Sequence, residues 1–277
     1  MAAIGLMNEL EIVKEVDFGI YLDGGPHGEI LMPKRYVPEG SKPGDVLNVF
    51  IYLDSEDRLV ATNETPKAMV GEFALLKVVS VTTVGAFLDW GLPKDLLVPF
   101  REQQHPMEAG RSYLVFVYLD DESQRIAASS KLDKSVDNIP VDYEVGEEVD
   151  LIIAGQTDLG YKAIIDNSHW GMIYKNEVFQ NLKVGQKLKG FIKTVREDEK
   201  IDLSLQKEGY EKIDEISQGI LNKLAANEGF LPLTDKSSPE LIKNTFQISK
   251  KNFKKAIGAL YKHRLISLED DGIRLLK

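Results

Sequence analysis

Residues 243–264 hold seven basic side chains, Lys243, Lys250, Lys251, Lys254, Lys255, Lys262 and Arg264, and no aspartate or glutamate. The chain as a whole has 34 Lys+Arg against 44 Asp+Glu, so a stretch cleared of acids runs against its average. Ammonium groups spaced along one surface can neutralise phosphates and release the counterions condensed on a polyanion. Lys250, Lys251, Lys254 and Lys255 fall on the helical face opposite Phe253, Ile257 and Leu260. A solvated helix face is the plain alternative; the absence of acids favours phosphate contact. The run lacks an arginine or glutamine placed to read base edges, so the expected contact is to backbone rather than to sequence.

A second set of candidates is aromatic. In strands, alternate residues face opposite sides. Ile20 and Leu22 turned inward leave Tyr21 and Asp23 outward, with Phe18 beside Tyr21; the same pattern exposes Phe87 and Asp89, and then Lys162. Tyr174 with Lys162, Lys193 and Lys200 offers a mixed aromatic and cationic platform. Such platforms hold unpaired bases, at about 1–3 kcal/mol per stacked base. For Tyr21 and Phe87, packing against a neighbouring domain competes on equal terms. For Tyr52, Tyr118 and Trp170 packing is the favoured role. Arg58, Arg125 and Lys200 each follow an acidic turn, and pairing with that turn is the favoured reading for the first two.

Chemistry of other kinds has little to stand on. There are no cysteines, which excludes disulfides, iron–sulfur clusters and cysteine-based zinc sites and fits a reducing, cytoplasmic setting. The four histidines, His27, His105, His169 and His263, show no metal-ligand spacing. No phosphate-cradling Gly-x-x-x-x-Gly-Lys loop, Gly-x-Ser-x-Gly elbow or His-Glu-x-x-His pair occurs. No apolar run approaches the roughly 20 residues that span a bilayer, and residues 1–10 do not read as a signal peptide. The expectation is a non-catalytic protein with no cofactor, metal or membrane partner.

What must position these residues is a repeat. Pro43-Gly44-Asp45 leads into Asn48-Val49-Phe50-Ile51-Tyr52-Leu53-Asp54 and then Arg58-Leu59-Val60-Ala61-Thr62. Ala109-Gly110-Arg111 leads into Leu114-Val115-Phe116-Val117-Tyr118-Leu119-Asp120 and then Arg125-Ile126-Ala127-Ala128-Ser129. A weaker copy runs from Val184-Gly185-Gln186 through Lys189-Gly190-Phe191-Ile192-Lys193 to Lys200-Ile201-Asp202-Leu203-Ser204. Upstream of each lies a glycine followed by a strand, Phe18-Gly19-Ile20-Tyr21-Leu22-Asp23, Val84-Gly85-Ala86-Phe87-Leu88-Asp89 and Leu159-Gly160-Tyr161-Lys162-Ala163-Ile164, and then a short strand at 29–32, 95–98 and 171–174. Five short strands in about 65–75 residues predict a small closed β-barrel, three times over.

After Gln206 the apolar period becomes helical. Ile213, Ile216, Ile220, Leu221 and Leu224 predict a helix over about 210–227, ended by Gly229. Ser238-Pro239-Glu240 reads as the start of a second helix. Ser249 opens a third, with Phe253, Ile257 and Leu260 inward. Leu265-Ile266-Ser267-Leu268, an Asp270-Asp271-Gly272 turn and Ile273-Arg274-Leu275-Leu276 form a hairpin. That order is a winged helix-turn-helix, whose third helix is the usual nucleic-acid reader.

The barrel pattern resembles the S-one domain, the RNA-binding OB fold named after the largest protein of the small ribosomal subunit. Val84 to Ser129 gives its clearest middle and end; Phe18-Gly19-x-Tyr21, Gly44-Asp45 and Leu203-Ser204-Leu205-Gln206 supply other parts. The short-strand position where this domain often has histidine is matched to Met32, Val98 and Tyr174, and Val84 and Leu159 stand where Phe18 does. The full chain resembles the conserved virulence factor B family. Leu233-Thr234-Asp235-Lys236-Ser237-Ser238-Pro239, the run Ser249 to Lys262, and His169-Trp170-Gly171-Met172-Ile173-Tyr174 carry that likeness. It implies a bacterial RNA-binding regulator acting after transcription.

The expected chain is therefore mostly β with a C-terminal α+β module: OB barrels over 1–66, 67–142 and 143–208, and a winged helix over 209–277. Lys+Arg minus Asp+Glu runs 6−12 over 1–67, 7−11 over 68–142, 9−11 over 143–207 and 12−10 over 208–277. An anionic partner should meet the C-terminal half first. Single-stranded RNA on the third barrel and the winged helix is the expected partner; the alternatives are duplex DNA on the winged helix, or a protein scaffold using the acidic barrels on the ribosome or RNA polymerase.

Overall fold

The computed structural model describes residues 2–137, 139–175, 178, 181–206, 215–262 and 264–276. By its internal contacts the chain forms two units, Met1–Leu205 and Gln206–Lys277.

The first unit is three closed five-stranded barrels. Strands β1 (Met7–Val16), β2 (Gly19–Asp23), β3 (Glu29–Pro33), β4 (Val46–Leu53) and β5 (Leu59–Thr62) make the first. Strands β6 (Phe73–Val81), β7 (Gly85–Asp89), β8 (Leu96–Pro99), β9 (Ser112–Leu119) and β10 (Ile126–Ser129) make the second. Strands β11 (Glu148–Gln156), β12 (Gly160–Ile165), β13 (His169–Tyr174), β14 (Lys187–Val195) and β15 (Ile201–Ser204) make the third. In barrels one and three the order around the wall is first, second, third, fifth, fourth, with the third and fifth strands parallel. The second barrel repeats it. This is the OB topology.

Closing so small a barrel requires one strand to serve two neighbours. β1, β6 and β11 each do so through an irregularity at the same place, between Ile12 and Lys14, Val78 and Ser80, and Ile153 and Gly155. An extra residue there bends and twists the strand. Gly19, Gly85 and Gly160 open the second strands because a Cβ there would lie 2.1, 2.3 and 2.0 Å from the carbonyl oxygens of Met32, Val98 and Ile173. Alternation then fills each interior, for example with Ile12, Leu22 and Met32, with Val78, Leu88 and Val98, and with Ile153, Ala163 and Ile173.

The barrels of this unit share cores. Phe50, Tyr52 and Val60 of the first barrel belong to the cluster of the second, where Phe50 meets Trp90 edge-on at 5.7 Å. The Lys94 ammonium donates to the carbonyls of Leu53 and Asp54 at 3.0 and 2.6 Å, and burial lowers its pKa. Arg125 pairs with Asp57 of the first barrel. Its expected partner was its own acidic turn; instead Arg101 takes Asp120 of that turn, at 3.2 Å. Arg58 does pair with its own turn, at 2.7 Å from Asp54. Phe73, Leu114, Val136, Ile152 and Ile164 join the second barrel to the third, with Trp170 packed against them. Tyr52 and Trp170 are thus packing residues. His169 is buried: its Nε2 lies 3.0 Å from the Ile139 carbonyl and its Nδ1 3.3 Å from the Tyr143 hydroxyl, whose pKa burial and Asp166 push up to about 12.

The second unit contains α1 (Glu215–Ala226), β16 (Phe230–Leu231), α2 (Pro239–Phe246), α3 (Lys250–Lys262), β17 (Ile266–Leu268) and β18 (Ile273–Leu275). Residues 210–214 of the expected first helix, Ile213 among them, and His263 lie outside the described residues. Ser238 caps α2, its hydroxyl accepting from the Leu241 N–H at 3.2 Å with Pro239 next. The Ser249 hydroxyl accepts from the Asn252 N–H at 3.2 Å and starts α3. β16, absent from the expected order, pairs with β18, so the wing is a three-stranded sheet in the order β16-β18-β17. Ile220, Leu224, Ile242, Phe253, Ile257, Leu260, Ile266 and Ile273 form the core. Among the described residues no helix is long and apolar enough to cross a membrane.

Candidate nucleic-acid interface

Each barrel turns the outward residues of its second and third strands to one face. In the first barrel Phe18 is 59% exposed and meets half-buried Tyr21 edge-on at 6.4 Å. The Lys14 ammonium lies 4.7 Å from the centre of the Tyr21 ring and pairs with Glu29. Two aromatic surfaces and a cation are therefore assembled on the most acidic of the three barrels. In the second barrel half-buried Phe87 lines a cleft of about 540 Å³ with Tyr52, Val84, Leu97, Arg101 and Arg125. Phe87 is neither sealed against the first barrel nor fully presented.

The third barrel departs from expectation in register. Ile20 pairs with Met32, Ala86 with Val98, and Tyr161 with Ile173. The counterpart of Met32 and Val98 is therefore buried Ile173, whereas Tyr174 matches Pro33 and Pro99. A one-residue slip exchanges the two faces of a strand. Tyr174 thus stands outward with Trp170 and Met172, while Met32, Val98 and Ile173 fill the barrels.

The expected platform of Tyr174 with Lys162, Lys193 and Lys200 resolves into separate groups. Tyr174 donates to Asp202 at 3.3 Å and accepts from Arg196, which also binds Asp202 at 2.9 Å. The Asp202 carboxylate raises the Arg196 pKa. The Lys162 ammonium sits 3.6 Å from the centre of the Trp170 ring and 3.1 Å from Asp133. Lys200 pairs with Asp198 of its own turn at 2.7 Å. Lys193, half-buried, sits at the irregularity of β14 between Ile192 and Thr194. Arg196, not Lys200, is the cation against Tyr174.

Helix α3 matches its expected pattern. Phe253, Ala256, Ile257 and Leu260 are buried, and Lys251, Lys254, Lys255 and Lys262 are exposed. Lys254 pairs with Asp235 at 3.2 Å, and half-buried Lys250 reaches the Lys236 carbonyl at 3.3 Å. Lys243, Lys251, Lys255, Lys262 and Arg264 are exposed and make no ion pair among the described residues. Sequence reasoning missed Lys14 and Arg196 as site residues. Lys14 lies on β1 and Arg196 directly after β14, and only the barrel's closure brings them to an aromatic ring.

Barrels of this kind and winged helices are nucleic-acid-binding modules, and the chain is a tandem array of them. The S1 (S-one) domain model matches residues 4–64 and 70–130, and the model of the CvfB-like winged helix domain matches 218–275. The chain thus carries S1 domains and a CvfB-like winged helix domain, and over nearly its full length it is similar to proteins named conserved virulence factor B. It is 27% identical to conserved virulence factor B of Staphylococcus haemolyticus (strain JCSC1435) over 284 residues, 99% of this chain and 95% of the relative. With the Staphylococcus epidermidis (strain ATCC 12228) protein it shares 28% over 286 residues, again 99% and 95%. A solved multidomain protein with nucleic acid binding domains from Streptococcus pneumoniae TIGR4 is 26% identical over 99% of this chain and 98% of that one, with a TM-score of 0.44.

Proposed function

We propose that this protein is a non-catalytic regulator of gene expression that acts after transcription by binding single-stranded RNA, through the α3 face of the winged helix and the outward face of the third barrel. The observation that carries the reading is the α3 surface. Among the described residues the exposed Lys251, Lys255 and Lys262 make no ion pair in a chain of net charge −10, so phosphates can approach them without displacing one, while Lys254 is held by Asp235. On the barrel, Tyr174 with Arg196 supplies stacking and charge, and Lys162 adds a second cation, although both cations already have an acidic partner. Two modest sites on one chain sum to useful affinity when one strand spans both.

The test is a titration of the full chain with single-stranded RNA at low salt, with duplex DNA of matched sequence as competitor. Binding of the single strand in preference to the duplex is the expected result. Preference for duplex would make the protein a DNA regulator. No affinity for any unpaired oligonucleotide would leave a protein-docking scaffold instead.

A further inference from the structure

The wing of the second unit carries the opposite charge to α3. The β17–β18 hairpin turns through Glu269, Asp270, Asp271 and Gly272, three carboxylates in four residues. Arg274 holds Glu269 at 3.0 Å, with a further hydrogen bond from Ser267 to the same carboxylate. Asp270 and Asp271 are exposed and make no ion pair among the described residues. The hairpin is fixed beside α3, because β17 packs on that helix and Ile266 and Ile273 share the core with Phe253 and Ile257.

A helix with its side chains is about 10–12 Å across, close to the roughly 12 Å width of the B-DNA major groove. A recognition helix seated there is walled by two rows of phosphates, one negative charge per about 1.7 Å of axis. Elements fixed beside the helix must then face a phosphate wall. Here that element presents Asp270 and Asp271. A single strand has one backbone, which can follow the lysines of α3 without passing the hairpin.

We infer that Asp270 and Asp271 are specificity-determining residues that turn the winged helix away from duplexes and leave α3 to unpaired strands. The inference rests on the proposed role of α3 and deepens it, naming how the partner class is chosen. It needs no base recognition, which suits a helix face made of lysine.

The test compares the full-length protein with Asp270→Lys/Asp271→Lys, using duplex DNA and single-stranded RNA of matched sequence between about 50 and 200 mM salt. Both positions are exposed and neither has a positive φ, so the fold tolerates the change. Duplex affinity should rise about ten-fold or more at the lower salt, and the duplex log–log salt slope should steepen by about 2, as two more phosphates are neutralised. Single-strand affinity should change less than about three-fold. Asp270→Asn/Asp271→Asn, which removes repulsion without adding attraction, should show a smaller gain confined to duplex. Equal gains on both nucleic acids, or none on duplex, would overturn the inference. The reading of α3 fails separately: Lys250→Glu/Lys251→Glu/Lys254→Glu/Lys255→Glu that kept single-strand affinity would reject it whatever the wing variants did.

Discussion

The cations beside the aromatic platforms of the barrels and those of the winged helix are held differently. In the barrels, Lys14, Arg58, Lys67, Arg101, Arg125, Lys162, Lys189, Arg196 and Lys200 each reach a carboxylate. In the winged helix Lys254 and Arg274 do so, while Lys243, Lys251, Lys255, Lys262 and Arg264 make no ion pair among the described residues. Most of the barrel pairs are solvent-exposed and add little stability. Their effect is on binding, since a phosphate approaching Lys162 or Arg196 meets a carboxylate first. Elsewhere on the barrels Lys34, Arg35, Lys42, Lys77, Lys183 and Lys187 are exposed and make no ion pair among the described residues, so the difference lies between the aromatic platforms and α3. The contrast teaches that cation number predicts little until partners are assigned.

The contrast can be broken most forcefully at its support. Phe253→Ala empties the core beneath the α3 lysines and should cost about 3–5 kcal/mol, seen in urea melts as early loss of helical signal while the barrel signal persists. Reversing charge with the quadruple lysine-to-glutamate variant should then lower RNA affinity about 100-fold or more and flatten the salt dependence, with α3 still folded by circular dichroism. Tyr174→Ala tests the contact-dependent half. It should weaken binding by about 1–3 kcal/mol with little change in salt slope; a flattened slope would mean that Arg196, not the ring, makes the contact.

The smallest effect concerns a pair that should matter only for stability. Burial works to raise the Glu102 pKa, but hydrogen bonds from Ser129 at 2.8 Å and Lys134 at 3.0 Å prevail and hold it below the usual carboxylate value. A depressed folded-state pKa contributes stability that is present above the unfolded value and lost as pH falls through the folded one. Glu102→Gln should flatten the acid limb of the stability–pH curve by less than about 1 kcal/mol and leave RNA affinity unchanged.

Much of the architecture was legible because repetition multiplies weak signals. The turn glycines, the alternation in 18–23 and 84–89 and the paired Tyr52 and Tyr118 strands recur in order, and few folds accept five such strands. β16 escaped because two residues cannot display a period. The Tyr174 match slipped by one residue because apolar character alone does not say which face of a short strand is inward. Hydrogen-bonded register against β12 says it at once.

What the sequence determined alone is whatever depends on neighbours within a few residues: strand alternation, the Ser238 cap, and the lysine face of α3 opposite Phe253, Ile257 and Leu260. Helical and extended periods fix side-chain direction locally. Only the tertiary structure decided which cations are engaged, that Arg125 crosses to Asp57, that Arg196 and not Lys200 meets Tyr174, and that an acidic hairpin is packed against a basic helix. These pairings join residues distant in sequence, and their strength falls off with separations that only the folded chain defines.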